Sequence, residues 1–116
     1  MYQPGLHILL SLNSPKTILL QDMNAWRIFI VDFLLKNNLT IVGETSHQFD
    51  TQGFTMAICL KESHLCIHTW PEFNRLTMDI YLCNYEKDNS FLVKTIANEN
   101  ILYFSAEIIQ QNEIYR

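Results

Sequence analysis

GFTMAICLKESHLCIHTWPEFNRLTMDIYLC, residues Gly53 to Cys83, alternates apolar and polar side chains three times over. Phe54, Met56, Ile58 and Leu60 fall on one parity, with Thr55, Ala57 and Cys59 between them. Leu65 and Ile67 then oppose His64, Cys66, His68 and Trp70, and Leu76, Met78, Ile80 and Leu82 oppose Thr77, Asp79, Tyr81 and Cys83. Side chains two apart on a strand point the same way, so a period of two reads as a strand with one buried face. The stretch therefore predicts three consecutive strands over residues 53–60, 64–70 and 75–83, with a turn at 71–74.

Working outward, residues 6–12 read as a strand stopped by Asn13-Ser14-Pro15. Residues 22–38 carry Met23, Trp26, Phe29, Ile30, Phe33 and Leu34 at helical spacing, with Ile28, Val31 and Leu35 widening the apolar face, so this helix is expected to pack deeply. A strand over 40–49 and a hairpin turn at 50–53 precede the central stretch. A second helix is expected at 89–97 with Phe91, Leu92 and Ile96 inward, and a last strand at 101–109. The order β-α-β-β-β-β-α-β predicts an α+β fold: an antiparallel β-sheet with helices packed on one face, a two-layer α/β sandwich.

The bulk properties bound the function. A chain of 116 residues, 48% hydrophobic and 17% charged, is expected to be one globular domain. Its net charge of −4 argues against a nucleic-acid partner, which calls for a basic surface. Three cysteines, Cys59, Cys66 and Cys83, form no disulfide framework, and the apolar run near the start is broken at residues 13–16, so a cytoplasmic protein with no membrane span is expected.

If the apolar parity faces the helices, the other face collects Thr55, Cys59, His64, Cys66, His68, Asp79, Tyr81 and Cys83, and no helix remains to cover it. It is left to water, to a second subunit, or to a site between them. Three chemistries compete for it. A metal site could draw on His64, Cys66, His68, Cys59 and Cys83, but ligands two apart on a flat strand diverge from a tetrahedral point, so no metal is expected. A plain interface would use the same residues as packing, with Cys59 and Cys66 as small hydrophobes. A catalytic site needs a nucleophile, an acid or base and an electron sink. Ser63, His68 and Cys83 could supply the first two, and no cofactor motif supplies the third.

The run Glu62-Ser63-His64 followed by Ile67-His68-Thr69-Trp70-Pro71-Glu72, then Asp79 and Cys83, resembles the prokaryotic S-adenosylmethionine decarboxylases, small pyruvoyl enzymes of polyamine synthesis. Gly5-x-His7, His47-x-Phe49 and Gly53 extend the likeness more loosely. The resemblance implies that the chain makes its own electron sink. Ser63 would attack the Glu62 carbonyl, and ester elimination would cut the chain into residues 1–62 and 63–116, leaving a pyruvoyl group at position 63. That group would form a Schiff base with the substrate amine and withdraw electrons as carbon dioxide leaves.

By the same resemblance His68 assists processing as a base, Thr55 stands where the family has a processing serine, and Cys83 returns a proton to the substrate carbon. Phe49 would stack on adenine and Glu72 would bind the ribose hydroxyls; His7 reads as structural. The chain departs from the family at Gln48, Met56, Asn74, Arg75, Leu82 and Asn84, changes expected to ring the substrate pocket. The implied substrate is S-adenosylmethionine, with arginine or ornithine decarboxylation, or a non-processing paralogue that binds an active partner, as alternatives. A homodimer with sites between the two sheets is implied.

Overall fold

The alternating stretch folds as its parity dictates. In the computed structural model, which describes residues 1–116, β3 (Phe54–Leu60), β4 (Ser63–Trp70) and β5 (Arg75–Leu82) form consecutive antiparallel pairs. Thr55 lies opposite His68, Cys66 opposite Asp79 and Ser63 opposite Leu82. β2 (Ile41–Gln48) pairs with β3 at one edge. β1 (Leu6–Asn13) enters between β5 and the last strand, β6 (Glu107–Tyr115), so the six-stranded order is β2-β3-β4-β5-β1-β6.

All three helices cover one face. α1 (Thr17–Gln21) and α2 (Met23–Lys36) follow β1, and α3 (Ser90–Tyr103) follows β5. Asp22 starts α2 by accepting the Ala25 N–H at 2.9 Å, which satisfies an otherwise orphan donor. Trp26, Ile30 and Leu34, four residues apart, are its fully buried ridge. Beneath them lie Leu6, Ile8, Leu10, Leu12 and the apolar parity of β3, β4 and β5, all buried. The Trp26 indole N–H donates to Asn100 Oδ1 at 2.9 Å inside this core, and Asn100 returns a donor to the Ile96 carbonyl at 2.8 Å. Losing either partner would strand a buried polar group, a cost of about 1–3 kcal/mol. Thr69 points into the same layer; its hydroxyl donates to the Leu20 carbonyl at 2.7 Å and accepts the Phe54 N–H at 2.9 Å, tying β4 to α1 and β3.

Apart from one added helix, the expected elements hold in kind and in order, with three corrections. The second helix runs to Tyr103, so Ile101 belongs to its last turn and the final strand is Glu107–Tyr115, not 101–109. Val93, Ile96, Ala97 and Asn100 keep the helical repeat buried, and Ser105, at φ 47°, turns the chain. Phe91 points to solvent at 81% exposure, because helix α3 buries the Val93–Ile96–Asn100 stripe instead. On α2, Ile28 and Leu35 are likewise exposed, whereas Val31, with Met23, Phe29 and Phe33, is half-buried against the core beside the Trp26–Ile30–Leu34 ridge. The short helix α1 was not expected. No helix is long and apolar enough to cross a membrane.

Gly53 closes the β2–β3 hairpin against β4. A Cβ there would lie 2.5 Å from the Thr69 carbonyl oxygen and 2.9 Å from Pro71 Cδ, whereas a Cβ at Gly43 would meet nothing within 4 Å. Gly53→Ala is therefore expected to cost about 1–3 kcal/mol in urea unfolding through forced backbone movement, and Gly43→Ala to stay within about 0.5 kcal/mol. Equal effects would mean that the hairpin does not press on β4.

Candidate active site

The residues singled out in the sequence divide between the two ends of β4. At one end the chain leaves β3 and turns through Lys61 and Glu62 into Ser63, the first residue of β4. Cys83 follows directly on β5, beside that turn. Its backbone N–H donates to the Glu62 carbonyl oxygen at 2.9 Å, continuing the β4–β5 ladder one step past the strand ends. The Glu62 side chain accepts the Thr40 N–H at 3.3 Å. A cavity of 150 Å³, lined among others by Lys61, Glu62, Cys83 and Asn89, opens beside this contact.

At the other end Thr55 and His68 face each other across β3 and β4, with Thr55 Oγ1 2.5 Å from His68 Nδ1 and 3.3 Å from the Ile67 carbonyl. The Trp70 ring centroid is 6.3 Å from that of His68. Phe49 stands at the tip of the β2–β3 hairpin, 48% exposed and edge-on to His47 at 4.8 Å. Glu72 is exposed on the 3₁₀ turn Pro71–Phe73 that follows Trp70. Ser63 and His68 are five residue steps apart along the strand, about 16 Å at the usual rise. One protomer therefore brings Glu62, Ser63 and Cys83 together, and Phe49, Thr55, His68 and Glu72 together, and keeps the two groups apart.

Between them the open face carries a cluster. His7 Nε2 lies 3.0 Å from Asp79 Oδ1, and the rings of His7, His64 and Tyr81 sit 5.3–5.7 Å apart. The Arg116 guanidinium lies over the Tyr81 ring at 5.4 Å. Burial pushes the His64 pKa below its ordinary value, and the neighbouring His7 adds to the shift, so His64 resists protonation. Burial, then the Asp79 carboxylate, pushes the Cys66 thiol up and keeps it protonated and unreactive. The histidines and cysteines weighed above as metal ligands are spread along the sheet, and no three His, Cys, Asp or Glu side chains group as a metal site.

The six departures do not ring a common pocket. Met56 and Leu82 are on the helix-facing parity and buried in the core. Gln48 ties the hairpin to α1 by donating to the Gln21 carbonyl at 2.8 Å. Asn74 adopts a left-handed turn at φ 54°, a conformation asparagine tolerates. Arg75 alone lies exposed on the open face, beside Trp70 and Phe73. Asn84 donates to the Pro4 carbonyl at 3.0 Å and accepts the Asn89 N–H at 2.7 Å, while Asn89 donates to the Cys83 carbonyl at 2.9 Å. Asn89 was missed in the sequence because an asparagine before a helix reads as that helix's own cap.

The family model described as S-adenosylmethionine decarboxylase matches residues 6–116. The S-adenosylmethionine decarboxylase proenzyme of Thermodesulfovibrio yellowstonii is 35% identical over 83 residues, covering 72% of this chain and 62% of the relative. That of Archaeoglobus fulgidus is 35% identical over 79 residues, covering 68% and 70%. The match thus spans about three fifths of the Thermodesulfovibrio protein's length. The crystal structure of the Aquifex aeolicus adenosylmethionine decarboxylase superposes with a TM-score of 0.79 at 26% identity, over all of this chain and 91% of that one. With the fold and nearly the whole length matched, this chain belongs to the S-adenosylmethionine decarboxylase family.

Proposed function

We propose that the protein is a self-cleaving pyruvoyl decarboxylase acting on S-adenosylmethionine, assembled so that each site combines residues of two copies. The observation that carries the reading is the 2.9 Å hydrogen bond from the Cys83 N–H to the carbonyl of Glu62, next to Ser63. Attack of the Ser63 hydroxyl on that carbonyl carbon would build negative charge on its oxygen, and a backbone donor already aimed there stabilises it. The C–N bond to Ser63 breaks as the Ser63 amine takes a proton, leaving Glu62 esterified to the serine oxygen. Removal of the Ser63 α-proton then expels the Glu62 carboxylate, and water releases ammonia from the resulting enamine.

The fold suits such a cut. Residues 1–62 supply β1, β2, β3, α1 and α2, and residues 63–116 supply β4, β5, β6 and α3. β1 lies between β5 and β6, and β3 pairs with β4, so the two pieces share three strand ladders. The bond to be broken bears none of them. A pyruvoyl group at position 63 supplies an electron sink for loss of the substrate carboxyl.

His68 needs to reach this end as a base, yet its own strand holds it about 16 Å from Ser63. Stacking two open faces about a two-fold axis, strands antiparallel, sets the His68 end of one copy over the Ser63 end of the other at the roughly 10 Å spacing of packed sheets. Thr55 prepares the imidazole: with its proton on the Ile67 carbonyl, its oxygen accepts the His68 Nδ1–H and leaves the Nε2 lone pair free. Phe49 and Glu72 stand at the same end, an aromatic face for adenine and a carboxylate for ribose hydroxyls. Cys83, whose main chain bonds Glu62 beside position 63, would return the proton.

Intact mass of freshly purified protein is expected to show two chains divided at Glu62/Ser63, with Ser63→Ala remaining whole; an uncut wild-type chain after long incubation would sink the reading. Carbon dioxide release from S-adenosylmethionine, but not from arginine or ornithine, is the expected substrate result. For the shared site, Ser63→Ala and His68→Ala chains are expected to stay uncut alone, while co-expression cuts the His68→Ala chain. Absence of cutting in the mixture would place His68 outside the partner's site. Glu72→Ala is expected to weaken an adenosine-containing inhibitor about 10- to 100-fold by calorimetry, and unchanged affinity removes Glu72 from the ribose.

A further inference from the structure

Asn89 occupies the N-cap position of α3, where an asparagine ordinarily turns its side chain back to its own helix. Here the side chain makes no capping bond. It is 5% exposed and donates instead to the Cys83 carbonyl at 2.9 Å. Asn84 holds Asn89 in turn, accepting its backbone N–H at 2.7 Å, and reaches across to the Pro4 carbonyl at 3.0 Å. On the opposite side Gly5 presses so closely that a Cβ there would collide with the Leu82 carbonyl and come within 3.0 Å of the Cys83 Cα. Cys83 lies one step past the end of the regular strand, where a single bond to Glu62 continues the ladder, and these contacts help to fix its main chain.

We propose that Asn89, with Asn84, is a positioning residue for self-cleavage: it anchors the Cys83 main chain so that the Cys83 N–H faces the Glu62 carbonyl. The inference rests on the cleavage reading above and adds to it which side chains hold the donor in place. A backbone donor cannot be replaced by mutation, but its direction follows the peptide plane it lies in, set by ψ of Leu82 and φ of Cys83, and the tie on the Cys83 carbonyl restrains that plane from the next peptide along. Asn84 thereby acts on the main chain of the site rather than on a substrate.

The test separates positioning from stability through Asn89→Asp. Aspartate keeps the shape, loses the N–H donor to Cys83, and is as good a cap for α3 with favourable charge at the helix start. In the full-length uncut Ser63→Ala protein, Asn89→Asp and Asn89→Ala are expected to speed amide hydrogen exchange at Cys83 at least about tenfold by NMR, leaving the β3–β4 amides unchanged. With Ser63 intact, both are expected to slow cutting about 10- to 100-fold by intact mass, since small misplacement of a catalytic donor has effects of that order. Ile96→Val, a core control on the same helix, is expected to cut at the wild-type rate. Asn89 variants that cut as fast as wild type, or that slow no more than a control with equal loss of Tm, overturn the role of Asn89 alone. A wild-type chain that never cuts overturns the cleavage reading and the positioning role together.

Discussion

A sheet has two faces, and three helices on one side leave the other without a cover. Everything else about this molecule follows from that constraint. The apolar parity of β1, β3, β4 and β5 goes to the helices and disappears from solvent. The opposite parity gathers the polar and reactive residues, and they share a face because the strand repeat is two. A buried His7, a shielded His64 and a thiol held neutral at Cys66 describe a surface partly withdrawn from water and not yet covered.

That constraint was readable in the sequence because alternation is a local signal, repeated three times between residues 53 and 83. The helices on one face and the antiparallel class followed from it. The entry of β1 between β5 and β6 was not readable: pairing between the first strand and the last two depends on no local pattern. The last strand was misplaced because Ile101, Tyr103 and Phe104 look strand-like one by one, while it is the buried Val93, Ile96 and Asn100 stripe that carries the helix onward. Hydrophobicity alone points Phe91 inward, but large apolar side chains are often exposed singly, as it is here.

The candidate site was legible in its residue types and illegible in its geometry. A motif written from Glu62 to Glu72 suggests one compact constellation. A strand stretches those residues out, so that Ser63 and His68 are neighbours in the motif and about 16 Å apart in space. The departures follow the same logic. A position next to a motif residue need not lie next to substrate, since alternate residues face opposite ways, and Leu82 and Met56 point through the sheet into the core. Asn84 was noticed as a difference and Asn89 not at all, although the two form one hydrogen-bonded unit.

On the proposed reading, with the cut at one end of β4 and its base at the other, maturation would be tied to assembly. In a lone protomer the Glu62 carbonyl already has its donor, so the slow element of such a cut would be access to a base rather than the oxyanion contact. His68 would gain that access only when a second open face arrives, and the same arrival would shield the face from water, which strengthens every hydrogen bond within it. An unassembled chain would thereby stay whole. The distance along β4 would supply the restraint, with residues that the sheet needs in any case.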